Sequence, residues 1–143
     1  MIIYLDTSAF IKLYVDEPGA DMVRASVAAN PIHTHWIAYA EMRATLARLH
    51  RMGYQTAGAY REHKREFEAD WKAVNAILPD EQMLRRAGEL AERFRLRGYD
   101  SVHLAAAESL RVGRATDFLR FASFDHLLNQ SAEELGLRLL MAD

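Results

Sequence analysis

The sequence contains no cysteine, which removes disulfides and thiolate metal sites and leaves oxygen and imidazole as the only ligands for a cation. It has no apolar run near the ~20 residues that a membrane-spanning helix needs, so no membrane partner is expected. The N-terminus lacks a basic stretch followed by a long apolar one, so no secretory signal is expected and the location is read as cytoplasmic. Lysine is scarce: of 18 basic residues only Lys12, Lys64 and Lys72 are lysines. Arginine's planar fork suits phosphate and carboxylate better than an ammonium does, although a GC-rich genome gives the same bias. Against 20 acids these bases leave a net charge of −2, so no global positive field advertises nucleic-acid binding.

What is present is a chain of 143 residues, half of them hydrophobic, enough for one domain over 1–143 with a core of its own. No repeat, low-complexity tract or linker divides it. Ile2–Leu5 reads as a buried strand, Thr7–Val15 as a short helix, and Pro18 as the first position of a helix striped by Met22, Val23 and Val27. Pro31–His35 is a brief strand. Trp36–Met52 and Thr56–Val74 are amphipathic helices expected to form an antiparallel hairpin. Ala76–Leu78 is ambiguous between strand and helix end. Asp80 caps a helix carrying Leu84, Ala87, Leu90 and Phe94, and Asp100 opens another through Leu104 and Leu110. Phe118–Phe124 is a strand, Leu127–Leu135 a helix and Leu137–Met141 a final strand. Strands that read as short apolar runs between helices predict a three-layer α/β/α fold around a parallel sheet of four or five strands. Such sheets bind ligands beyond the carboxyl ends of their strands.

Four acids stand out against that frame. Asp6 follows the first strand, and Asp125 follows the Phe118–Phe124 strand, so both emerge at the carboxyl edge. Asp100 sits at the amino end of a helix, and Glu41 lies inside one, sharing a face with Ile37, Ala44 and Thr45. Asp6, Asp100 and Asp125 also read as ordinary helix N-caps. Glu41 does not; half-covered by apolar neighbours, it needs a partner, for which Arg48 is a candidate. Carboxylates ~5 Å apart repel by ~3 kcal/mol per pair at an effective dielectric of 20, so a cluster of them calls for protons or a cation. Oxygen donors without thiolate select Mg²⁺ or Mn²⁺.

The segments LDTSAFIKLY, the glutamate of the third helix, YDSVHLAAA and FASFDHLLNQSAEELGL run in that order along the whole chain. Together they resemble a PIN-domain ribonuclease, and within that family the VapC-type toxins of toxin–antitoxin pairs. The resemblance implies a Rossmann-like sheet, Mg²⁺-dependent endoribonuclease activity with Mn²⁺ as a substitute, an RNA substrate, a cognate antitoxin protein and a homodimer. It assigns Asp6 and Asp100 as principal metal ligands with Asp125 beside them. Glu41 completes the catalytic set, by direct ligation, bound water or proton transfer. Thr7, Ser8 and Ser123 match hydroxyls that orient the acids.

Other signals carry less. The six histidines, His103 included, lack paired metal-ligand spacing and read as structural. Trp36, Tyr39 and Trp71 are expected in packing rather than on RNA bases, and Arg43, Arg48, Arg51, Arg61 and Arg65 on a solvated face with RNA phosphates as the other reading. A phosphatase of the haloacid dehalogenase type would need an aspartate where Ser8 stands. A PIN-fold RNA-processing nuclease without an antitoxin and a catalytically silent PIN-fold binding module are the alternatives kept.

Overall fold

The computed structural model describes residues 1–111 and 116–141. Ile2–Leu5 forms strand β1, buried along its whole length. Thr7–Phe10 is helix α1, followed by a 3₁₀ turn at Ile11–Leu13 where one longer helix was expected. The i→i+3 bond from Tyr14 N–H to Ile11 carbonyl tightens that segment. Then come α2 (Ala20–Ala29), β2 (Ile32–His35), α3 (Ile37–Arg51), α4 (Ala57–Trp71) and β3 (Asn75–Ile77). The chain continues through α5 (Glu81–Phe94), α6 (Gly98–Arg111), a 3₁₀ turn at Thr116–Phe118, β4 (Leu119–Ala122) and α7 (His126–Glu134). The ambiguous segment around Ala76 is therefore a strand.

The sheet has the order β3-β2-β1-β4, all parallel. Because side chains alternate along a strand, Ile2 and Tyr4 point to one face and Ile3 and Leu5 to the other. The first pair joins Leu119, Phe121, Leu90, Leu104 and Leu128 in a core beneath α5, α6 and α7. The second joins Phe10, Met42, Leu46, Phe67 and Trp71 beneath α1, α3 and α4. Each fully buried large side chain here contributes ~1.5–3 kcal/mol, so both layers anchor the sheet. Trp36, Tyr39 and Trp71 pack edge-on or tilted against one another, with Trp36 and Trp71 centroids 5.2 Å apart, as packing residues.

Three further details differ from expectation. The final strand shrinks to a single bridge between Phe121 and Leu139, flanked by bonds from Phe121 N–H to Arg138 and from Leu140 N–H to Phe121. A turn at Leu140–Met141 stops that segment from extending along β4. Helix α2 starts at Ala20 rather than Pro18, with Gly19 before it at φ +91°. A Cβ on Gly19 would lie 2.5 Å from the Phe124 ring, so glycine is needed for both the backbone and the close approach. Helix α6 begins at Gly98, which puts Asp100 inside its first turn.

Candidate active site

The parallel register decides which residues meet at the carboxyl edge. Leu5 pairs with Ala122, and Asp6 N–H donates to the Ala122 carbonyl at 3.1 Å, so Asp6 and Ser123 leave the sheet side by side. Asp6 then caps α1: its Oδ1 accepts from Ala9 N–H at 2.9 Å and from the Ser8 hydroxyl at 2.7 Å. Its Oδ2 accepts from the Ser123 hydroxyl at 2.6 Å. Ser8 and Ser123 are themselves fixed, taking the N–H groups of Phe124 and Asp125 at 2.8 and 3.0 Å. Burial pushes the Asp6 carboxyl above its ordinary pKa, while His103, the two hydroxyls and the Ala9 N–H pull it back. The motif's hydroxyls thus orient the buried acid.

Asp125 caps α7, its Oδ1 accepting from Leu128 N–H at 2.8 Å. Its Oδ2 lies 3.9 Å from Nη2 of Arg97, whose Nε donates to Asp100 Oδ2 at 3.1 Å. Asp100 caps nothing; Arg97 is its hydrogen-bond donor among the described residues. Burial raises its pKa first, Arg97 opposes, and Asp125 adds to the rise. Glu41 enters from α3. Its Oε1 accepts from the Thr7 hydroxyl at 2.9 Å and contacts His103 Nε2 at 2.8 Å, so its partners are Thr7 and His103 rather than Arg48.

Asp6, Glu41, Asp100 and Asp125 line one open cleft of about 630 Å³, together with Thr7, Ser8, Lys12, Arg48, Arg97 and His103. Ser123 lies just beneath, wholly buried. Only Arg48 of the hairpin arginines reaches this cleft; Arg43 pairs with Glu68 and Arg65 with Glu62 along the hairpin. No three of His, Asp or Glu converge closely enough to hold a metal ion among the described residues. The donor chemistry nevertheless suits a hard cation: the acids offer oxygen alone, and a cationic guanidinium already sits against Asp100 and Asp125.

Three cleft residues escaped the sequence reading as site members. Arg97 stands immediately ahead of α6, three positions before Asp100, and its side chain folds back over the helix's first turn. Lys12, only 6% exposed, pairs with Glu17 at 2.8 Å and lies 4.1 Å over the Phe124 ring. His103 was read as inward-packing, and it is 1% exposed, yet it touches Glu41.

The PIN domain profile matches residues 3–140. The chain is 33% identical over 142 residues to Ribonuclease VapC45 of Mycobacterium tuberculosis (strain CDC 1551 / Oshkosh), covering 99% of this chain and 96% of that one. It is 32% identical over 140 residues to Ribonuclease VapC46 of strain H37Rv, covering 96% and 95%. Among solved structures its fold is similar to VapBC2 from Rickettsia felis bound to a DNA fragment from their promoter (TM-score 0.67, 13% identity, 97% of each chain). It is also similar to VapBC-1 from nontypeable Haemophilus influenzae (TM-score 0.64, 20% identity, 99% of this chain and 100% of that one).

Proposed function

The chain belongs to the PIN-domain family, in its VapC branch, and from that premise we propose that it is a Mg²⁺-dependent endoribonuclease, the toxin of a toxin–antitoxin pair. The observation that carries the reading is the cleft itself: four acids from four separate segments line one cavity at the carboxyl edge of a parallel sheet. A structural role does not call for four carboxylates there, since like charges repel.

Asp6, Asp100 and Asp125 would hold the ion, Mg²⁺ or Mn²⁺. Bound among them, it supplies positive charge that acidifies water and offsets charge on the phosphodiester. The protein's own groups do the rest. Ser8, Ser123 and the Ala9 N–H hold the Asp6 carboxylate in one orientation. Thr7 holds Glu41 by Oε1, and no hydrogen bond falls on Oε2 among the described residues. That oxygen would take the proton of the attacking water as it bonds to phosphorus and the P–O bond to one ribose breaks, that ribose oxygen leaving with a proton from solvent. Arg48, exposed on the cleft wall, offers a fork to the phosphates of a single-stranded RNA.

The remaining elements of the proposal are a single domain over 1–143, a homodimer in the cytoplasm, and an antitoxin protein that closes the acidic cleft with a basic side chain. No helix among the described residues is long and apolar enough to cross a membrane. Purified protein freed of any antitoxin should cleave RNA with Mg²⁺ or Mn²⁺ and stop in EDTA. Undiminished cleavage in EDTA overturns the metal dependence. No cleavage of any RNA, with no calorimetric Mg²⁺ binding, hands the reading to the silent module.

A further inference from the structure

Behind Glu41 runs a buried polar chain that the ribonuclease reading leaves unused. His103 comes from α6, sixty-two positions away, and its Nε2 meets Glu41 Oε1 at 2.8 Å and the Thr7 hydroxyl oxygen at 3.4 Å. Its Nδ1 meets the Tyr4 hydroxyl at 2.8 Å. Tyr4 is wholly buried on β1, packed against Phe121 at a centroid distance of 5.7 Å and edge-on to His103. A histidine and a tyrosine enclosed in an apolar core must each find partners, and these two find each other.

The direction of the chain follows from the chemistry of its end. A carboxylate only accepts hydrogen bonds, so the ring nitrogen facing Glu41 carries a hydrogen. In the neutral ring Nδ1 is then a lone pair to which the Tyr4 hydroxyl donates, whereas the charged ring would donate from both nitrogens. Thr7 and His103 both donate to Oε1, which leaves Oε2 as the free oxygen. Rotation of the carboxylate would break both bonds to Oε1. A change of tautomer would set a lone pair against Oε1.

We propose that Tyr4 and His103 are positioning residues: Tyr4 fixes the Nε2–H tautomer of His103, and His103 with Thr7 locks Glu41 so that Oε2 alone faces the substrate. The proposal rests on the ribonuclease reading for its kinetic consequence and on geometry alone for the chain. Neither residue touches RNA or the ion, so loss of the chain lowers kcat and leaves KM and metal affinity in place.

The experiment uses the full chain freed of antitoxin. Tyr4→Phe keeps the ring in the core and removes the donor; kcat should fall ~10-fold or more, the range for outer hydrogen-bond partners, with KM within twofold. Calorimetric Mg²⁺ affinity should stay within twofold. His103→Gln, whose amide can still donate to Oε1, should retain several-fold more kcat than His103→Leu. A purely structural role would lower the melting temperature of the variants without moving kcat in the folded fraction, and that result overturns the proposal. The ¹⁵N shifts of His103 in the parent should mark Nε2 as protonated and Nδ1 as a hydrogen-bonded lone pair. Both nitrogens protonated, or Nδ1 alone, also overturns it. Because the shifts are read without RNA, a parent that cleaves nothing sinks the ribonuclease reading separately from the chain.

Discussion

Asp100→Asn separates a metal ligand from a structural acid more cleanly than any other single change. The side chain caps nothing, since α6 begins two residues earlier and no backbone N–H donates to it among the described residues. Its main favourable partner is Arg97, whose side chain is 65% exposed. A pair so open to water is worth ~0.2–1 kcal/mol, not the several that bare Coulomb attraction at 3.1 Å suggests. Burial outweighs it, as the raised carboxyl pKa indicates, so the charge costs the metal-free fold a little. Asparagine removes that cost and still accepts from Arg97. Metal-free melting should therefore hold or rise, by no more than ~3 °C for ~1 kcal/mol in a chain of this size. Cleavage of a 5′-labelled RNA should fall by at least ~100-fold. Mg²⁺ should raise the parent's melting point more than the variant's, because a ligand bound only to the native state stabilises by RT ln(1 + [L]/Kd). Activity, metal-free melting and the Mg²⁺ shift come from the same two samples. Near-parent cleavage by Asp100→Asn refutes the assignment of this residue.

Arg97→Gln removes the guanidinium that competes with a metal ion for Asp100 and Asp125, so Mg²⁺ should bind up to ~5-fold more tightly, the equivalent of an exposed pair worth ~1 kcal/mol. Calorimetry on the two proteins reads this, and weaker binding by the variant would contradict it. Between α5 and α6, Arg86 grips Glu108 with Nε at 2.8 Å and Nη2 at 2.9 Å, holding that carboxyl below the usual glutamate range. Its stabilisation is present at neutral pH and lost as pH falls through the depressed folded value. Glu108→Gln should cost ~1 kcal/mol or less at pH 7 in urea melts, Arg86 being partly exposed, with the deficit shrinking as the pH falls through and below the ordinary glutamate range. A deficit independent of pH would point to packing instead.

The fold was legible where local chemistry and tertiary demand agree. Thr56 and Asp80 cap their helices through their own oxygens, accepting from Ala59 and Met83 N–H, and each was readable from a polar residue ahead of an amphipathic run. The apolar run Ile2–Leu5 needed both faces covered, and that alone implied helices on either side. The misread ends have tertiary causes. Pro18 is a good first helical residue anywhere, but Gly19 has to admit the Phe124 ring from a segment 105 positions later, and the helix starts beyond it. The segment after α7 has the composition of a strand, yet only Leu139 pairs, a matter of where the chain turns rather than of propensity.

At the site the same aspartates carry two readings at once, helix cap and cation ligand. Asp6 and Asp125 are both caps, and in each the backbone N–H falls on Oδ1. A carboxylate has a second oxygen, and in Asp6 it accepts from Ser123 while in Asp125 it faces Arg97. Capping fixes the rotamer and commits one oxygen, which is a useful preparation for an acid that must offer the other to a cation. The sequence signal for a cap is therefore no argument against a ligand at the end of a strand. Arg97 and His103 were hidden for the opposite reason. The path that brings Arg97 to the cleft passes through Arg95, a non-glycine residue at φ 57° that no local pattern announces. For His103 the helical stripe predicted burial correctly, but a buried imidazole is defined by its partners, and Tyr4, Thr7 and Glu41 all lie on other elements. Periodicity tells which way a side chain points; only the assembled sheet tells what it meets there.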